Sequence, residues 1–187
     1  LEKAFIALLE DQAYEFLPII GNQQLIDNLR LQLEKLNDYR FTEKEWKQFF
    51  EGKLSNPNSN IEDKTRLIQE DYIQALQCED GLLRNIYLID KKNIHNNHLQ
   101  VINQYETLEG KRANRYDVTV LVNGLPMVHI ELKKRGVSLQ EAFNQIDRYE
   151  RESFWAGSGL FQYVQLFVIS NGTLTKYYSN TTRYTHL

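Results

Sequence analysis

Residues 114–149 constrain the fold more than any other stretch. They read N-R-Y-D-V-T-V-L-V-N-G-L-P-M-V-H-I-E-L-K-K-R-G-V-S-L-Q-E-A-F-N-Q-I-D-R-Y. Two strand-like runs flank Asn123-Gly124, and a tight loop joins them. The first run carries Asp117 and the second ends on Glu131-Leu132-Lys133. Ser138, with Glu141 three residues later, predicts a helix start after Gly136. Leu139, Ala142, Phe143 and Ile146 form the buried stripe of that helix.

The faces of these strands decide what the stretch can do. Alternate side chains of a strand share a face. Glu131, Lys133 and His129 therefore form one set, and Asp117, Thr119 and Leu121 another. A plain two-residue turn would pair Val122 with Leu125 and Asp117 with Ile130. Asp117 would then face away from Glu131. A three-residue loop, Val122-Asn123-Gly124 with Gly124 left-handed, pairs Asp117 with His129 and brings the carboxylates to one face. A bulge in one strand repairs the faces as well. One of these two irregularities is expected. Diagonal strand neighbours lie roughly 7–8 Å apart at the backbone, close enough for two carboxylates to share one ion.

Phosphodiester hydrolysis sets an anionic nucleophile against an anionic phosphate, so it needs these residue types. Mg²⁺ takes hard oxygen ligands and keeps several waters. Asp117 and Glu131 are the expected ligands, the Leu132 carbonyl a third, and Mn²⁺ a workable substitute. Such an ion acidifies a water and offsets transition-state charge. Lys133 is placed to orient the water or stabilise developing charge. Gln145 and Tyr149 stand four apart, on one helix face. Gln145 suits a phosphate contact or a bond to Lys133, and Tyr149 suits stacking or a backbone contact. The bland alternative is a surface hairpin with scattered charge, since Glu-x-Lys alone is common.

Composition sets the outer bounds. The 187 residues, 42% hydrophobic, allow one domain with a real core. A single cysteine, Cys78, excludes an internal disulfide and a cysteine-based zinc cage. No apolar run approaches the roughly 18 residues of a membrane span, and a cytoplasmic location is the default expectation. The chain begins without Met and closes on no obvious element, as expected of the ordered part of a longer polypeptide. The net charge of −3 is unevenly placed. Residues 111–151 hold eight basic and five acidic residues, and the remainder fourteen and twenty. A basic region on an acidic chain suits local phosphate contact.

The remaining elements follow in order. Leu1 to about Gln12 predicts an amphipathic helix with Leu1, Phe5, Leu8 and Leu9 on one stripe and Glu2 on a neighbouring face. Gln24–Leu36 predicts a second, with Leu25, Leu29, Leu33 and Leu36 in line. Thr42 and Glu45 form a capping box opening a short helix, which Gly52 is placed to end. Residues 55–60 read as a surface loop. Residues 62–77 fit a helix in part, and Tyr72-Ile73 fits a strand start. Residues 86–89 read as a buried strand. His95 and His98 have no third ligand at suitable spacing and read as a polar loop. Leu99–Tyr105 predicts a strand with Val101, Asn103 and Tyr105 on one face. Residues 164–169 predict a buried strand, and Asn171-Gly172 a turn into a strand over Thr173–Tyr178. No phosphate-cradling G-x-x-x-x-G-K-[ST] loop is present.

Asp117, then Glu131-Leu132-Lys133, then Gln145-x-x-x-Tyr149 resembles the PD-(D/E)xK nuclease superfamily in its RecB-like form. The fuller wording N-R-Y-D-V-T-V-L-V-N-G-L-P, H-I-E-L-K-K-R-G-V and E-A-F-N-Q-I-D-R-Y resembles the N-terminal domain of the R subunit of type I restriction-modification enzymes. The similarity runs along the whole chain. Tyr116 stands where the family pattern has proline. The resemblance implies an α/β, restriction-endonuclease-like fold: a mixed central sheet flanked by helices, with an N-terminal helical portion. It implies one nuclease domain over 1–187, mainly helical to about residue 60, at the start of a longer motor subunit. It further implies Mg²⁺-dependent cleavage of double-stranded DNA, ATP used only in motor domains outside this chain, and methylation and specificity subunits as partners. Glu2 matches a family glutamate that supports the metal site. Two other readings stay open: a non-cleaving DNA clamp or docking module, and a RecB-like nuclease of another helicase. The sequence cannot give the DNA recognition site.

Overall fold

Leu25, Leu29 and Leu33 recur every fourth residue and are fully buried. They give helix α2 (Asn22–Asn37) one apolar line to lay on a sheet. The computed structural model describes residues 1–107, 114–149 and 159–181. Ahead of α2 come α1 (Glu2–Glu10) and the two-residue strand β1 (Glu15–Phe16). After it come α3 (Glu43–Phe49), α4 (Ile61–Gln69) and a hairpin, β2 (Ile73–Gln77) and β3 (Leu83–Tyr87). Then follow β4 (Leu99–Thr107), β5 (Asn114–Val122), β6 (Leu125–Leu132), α5 (Leu139–Tyr149), β7 (Leu166–Ser170) and β8 (Thr175–Ser179).

The central sheet has six strands in the order β1-β4-β5-β6-β7-β8. The β1–β4 and β6–β7 pairs are parallel and the rest antiparallel. This is the mixed sheet flanked by helices expected from sequence. The larger core draws on α2, α3, α4, α5 and one sheet face. A smaller cluster joins Ile6 of α1 to Val101, Val118, Val120 and Ile130 on the other face. Among the described residues, no helix is long and apolar enough to cross a membrane.

Several local expectations need correction. In α1 the buried line runs through Ile6, with Phe5 and Leu9 packed beside it, while Leu8 is exposed. Glu2 shares that line instead of a neighbouring face, because β4 supplies it with polar partners. The Thr42–Glu45 capping box forms with both bonds. Gly52 does not end α3, because residues Phe50–Leu54 continue as a π-helical turn. There the Leu54 carbonyl accepts from the buried Lys64 ammonium and from Tyr163 Oη. Residues 62–77 hold both a helix and a strand, divided near Glu70. The strand expected over residues 86–89 ends at Tyr87; Ile86 and Leu88 are buried and Tyr87 is exposed. Among the described residues β3 pairs with β2 alone, in a separate two-stranded sheet that buries Leu76 and Ile86. In the loop after β3, His98 Nδ1 lies 2.8 Å from Gln32 Oε1. β8 starts at Thr175, not Thr173, because Asn171 Oδ1 caps the backbone N–H groups of Thr173 and Leu174.

Candidate active site

The hairpin that carries the site is built from one turn and one bulge. Asn123 and Gly124 have φ of 50° and 82°, the two positive angles of a two-residue turn. Val122 pairs with Leu125 and Leu121 with Pro126, yet Val120 pairs with Val128. Met127 is therefore the extra residue of a bulge. Pro126 has no N–H for the ladder, and prolines inside sheets collect at bulges and edges. Of the two expected irregularities, the bulge is the one present. Thr119 pairs with His129 and Val118 with Ile130. One further step of this register sets Asp117 opposite Glu131. Leu132 N donates to Asp117 Oδ2 at 2.9 Å across that step.

The turn is anchored from behind. Asn123 is 1% exposed, and its amide donates to Leu88 O and Asn97 Oδ1 while accepting from His98 N. Gly124 packs against the backbone of α2 at Leu29. The strand ends that carry Asp117 and Glu131 thus extend from a fixed base.

On its other edge β5 leaves the regular ladder at the same place. β4 pairs Asn103 with Val118 and Tyr105 with Tyr116, and the Gln104–Asp117 step between them is skipped. Gln104 is left-handed there, with φ of 52°. Alternation resets across it: Val101 lies in the α1 cluster and Tyr105 in the main core. The expected common face for Val101 and Tyr105 is therefore not found. Asn103 Nδ2 donates to Glu2 Oε1 at 2.6 Å, and Gln104 Nε2 to Glu2 Oε2 at 2.7 Å. This clamp fixes Glu2 near Asp117.

Glu131 is fully buried. Lys133 Nζ donates to its Oε1 at 3.1 Å, and Oε2 has no hydrogen-bond partner among the described residues. Lys133 Nζ also donates to Gln145 Oε1. Gln145 Nε2 donates in turn to Tyr149 Oη, which donates to the Arg115 carbonyl at 2.9 Å. A continuous chain of bonds therefore ties α5 to the strand two residues before Asp117. Of the two sequence options for Gln145, the structure has the bond to Lys133. Tyr149 is 2% exposed and makes the backbone contact, with its ring edge-on to Tyr116 at 5.0 Å. Helix α5 begins where predicted, although the Ser138 hydroxyl accepts from Gln140 N and not from Glu141 N.

Sequence reasoning assigned no role to His129, Asn103 and Gln104. His129 is fully buried, with Nε2 3.6 Å from Glu131 Oε2. Its place in the Glu131 face set was visible in the two-residue alternation. Nothing in the sequence linked residues 103 and 104 to Glu2.

Burial raises the Asp117 pKa above its ordinary value, and the charges of Glu131 and Glu2 push it in the same direction. The bond from Leu132 N opposes this shift. The folded state thus holds the Asp117 proton more tightly than the unfolded chain does. Its contribution to stability is complete below the unfolded value of about 3.9 and is lost as pH rises through the folded value. At neutral pH the charge is therefore a net cost. Asp117→Asn keeps an acceptor for Leu132 N and removes that charge. The Tm of the metal-free protein should rise by a few degrees at pH 7, and the gain should vanish near pH 3. Thermal melts at the two pH values check this.

Two carboxylates that repel each other, one with an unpartnered buried oxygen, form a donor set that fits a hard divalent cation. No group of three or more His, Cys, Asp or Glu side chains suited to a metal gathers among the described residues. The set consists of the two side chains of Asp117 and Glu131, joined at the strand end by the bond from Leu132 N to Asp117 Oδ2.

A family described as "Type I restriction enzyme R protein N terminus" matches residues 1–186. The chain belongs to this family. Among relatives of this type I R-protein N-terminal chain, the type I restriction enzyme EcoprrI endonuclease subunit of Escherichia coli is 52% identical over 184 residues. That match takes in 98% of this chain and 58% of the relative. A type I restriction enzyme endonuclease subunit of Staphylococcus aureus strain COL is 39% identical over 188 residues, or 96% of this chain and 19% of its own. A putative type I restriction enzyme endonuclease subunit of Methanocaldococcus jannaschii is 32% identical over 138 residues, covering 68% of this chain and 13% of its own. The R-protein N-terminal chain thus spans about three-fifths of one curated relative and about a fifth or less of the others.

Proposed function

We propose that this chain is the DNA-cleaving region of a type I restriction enzyme R protein. It would hydrolyse phosphodiester bonds of double-stranded DNA with Mg²⁺. The observation that carries this reading is the convergence of Asp117, Glu131 and Lys133 at one strand end, brought about by the bulge at Met127. The relatives' designation as endonuclease subunits supports it.

Each residue has a physical task in this reading. Asp117 and Glu131 hold the cation, with the Leu132 carbonyl as third protein ligand. The cation supplies a nucleophile at neutral pH and offsets charge at the phosphate. Leu132 N aims Asp117 by a hydrogen bond. Lys133 sets its ammonium beside the reacting phosphate, and Gln145 holds that ammonium in place. Tyr149 aims Gln145 from the Arg115 carbonyl. Glu2 adds negative charge from the β4 clamp without leaving it. The exposed side chains of Arg115, Lys134 and Arg135 border the site and suit backbone phosphates. Motor regions elsewhere in the full-length protein would drive ATP-dependent translocation, and methylation and specificity subunits would complete the complex.

The relay from Tyr149 to Lys133 gives a graded test in the full-length protein. Gln145→Ala should slow DNA cleavage about 10- to 100-fold, since it frees the Lys133 side chain without removing it. Tyr149→Phe keeps the ring contacts and removes the hydroxyl, so its loss should be smaller. Both should fall short of Asp117→Ala in single-turnover cleavage assays with Mg²⁺. Cleavage by Asp117→Ala at the wild-type rate would exclude the proposed site.

A further inference from the structure

His129 is a fully buried titratable side chain that touches the site and has no task in the reading above. It stands two residues before Glu131 on β6, so both side chains point the same way. Its ring sits in an aromatic box, edge-on to Tyr116 at 5.5 Å, Tyr149 at 6.1 Å and Phe167 at 6.4 Å. That box leaves the ring little freedom to turn. Nδ1 lies 3.5 Å from the hydroxyl of Thr119, its cross-strand neighbour, itself 1% exposed. Nε2 lies 3.6 Å from Glu131 Oε2, the carboxylate oxygen without a hydrogen-bond partner among the described residues.

We propose that His129 is a positioning residue for Glu131. The Thr119 hydroxyl donates to Nδ1, which places the ring proton on Nε2, aimed at Glu131 Oε2. The carboxylate is thereby held from both ends: Lys133 takes Oε1 and His129 takes Oε2. A carboxylate oxygen accepts one such bond and keeps a lone pair for a cation. The 3.6 Å separation exceeds a formed bond, and catalytic bonds of this kind tighten when the site fills. Partners that orient a metal ligand are worth about 10- to 100-fold in metal affinity. The inference rests on the proposed cation site, and the test separates the two.

The test is Mn²⁺ binding to the full-length protein, followed by the paramagnetic signal of free Mn²⁺. The Glu131→Ala variant supplies the background from sites elsewhere. His129→Phe fits the aromatic box and has no donor. It should weaken the Glu131-dependent site about tenfold or more. His129→Gln carries an amide that reaches as far as Nε2 and should restore affinity to within a few-fold of wild type. In Mg²⁺ titrations of cleavage, the Phe variant should need more Mg²⁺ while retaining most of its rate at saturation. Equal Mn²⁺ affinity for wild type and the Phe variant would overturn the role of His129 and leave the cation site standing. No Glu131-dependent binding in the wild type would overturn the cation site and the inference together. If the Phe variant fails to fold, His129→Asn takes its place, since its amide ends one bond shorter than that of Gln. Equal affinities for the Asn and Gln variants would then overturn the proposal.

Discussion

Glu131→Ala should abolish DNA cleavage by the full-length protein, by at least about a thousandfold, while DNA-dependent ATP hydrolysis continues. Three losses coincide in this one substitution. The proposed cation site loses a ligand, Lys133 loses its 3.1 Å carboxylate partner, and His129 loses the oxygen it faces. Lys133→Ala should be nearly as severe, because its ammonium is the positive group that Gln145 holds at the strand end. In the proposed reading ATP is used by regions outside this chain, so the two activities should part. Nicking and linearisation of supercoiled DNA, read beside phosphate release, checks both. Loss of ATP hydrolysis in parallel with cleavage would mean that the site couples to the motor and does more than cut.

Gly124→Ala should destabilise the fold strongly without touching the chemistry. The φ of 82° is strained for any residue with a side chain, at about 1–3 kcal/mol. A Cβ there would also stand 2.6 Å from Leu29 Cα and 3.0 Å from Leu29 N, both backbone atoms of a buried helix. Those atoms cannot rotate away, so α2 or the turn must shift. A total of about 3 kcal/mol or more is expected, lowering Tm by roughly 10 °C in thermal melts. Gly136 offers a control, since its φ is 86° and nothing lies within 4 Å of its Cβ position. Gly136→Ala should carry only the conformational part of the loss. Equal effects at the two positions would show that contact with α2 does not matter.

The hairpin that carries Asp117 and Glu131 was legible in the sequence only in part. The faces of Asp117 and Glu131 required an irregularity between them, either a three-residue loop or a bulge. Pro126 held the answer: a residue without an N–H sits poorly in a regular ladder, so the extra residue falls beside it at Met127. The four-residue spacing put Gln145 and Tyr149 on one helix face, but only packing shows that they bond each other and that Gln145 reaches Lys133. The Glu2 clamp had no local signal. Its partners lie more than a hundred positions away, and Gln104 reaches it from a left-handed backbone that its residue type does not announce. The same limit applies to α1. Leu8 fits the apolar stripe as well as Ile6 does, and the sheet face beneath decides which one is buried. In β3, the apolar run at residues 86–89 predicted burial but could not show that its partner is β2 alone.

In the proposed site Asp117 and Glu131 hold one divalent cation between them. The most direct measurement is anomalous scattering from Mn²⁺ soaked into crystals of the DNA-bound protein. A peak is expected in contact with an oxygen of each carboxylate, on the side where Leu132 and Lys133 meet the strand end. A DNA-bound site with no peak between the two carboxylates would contradict it.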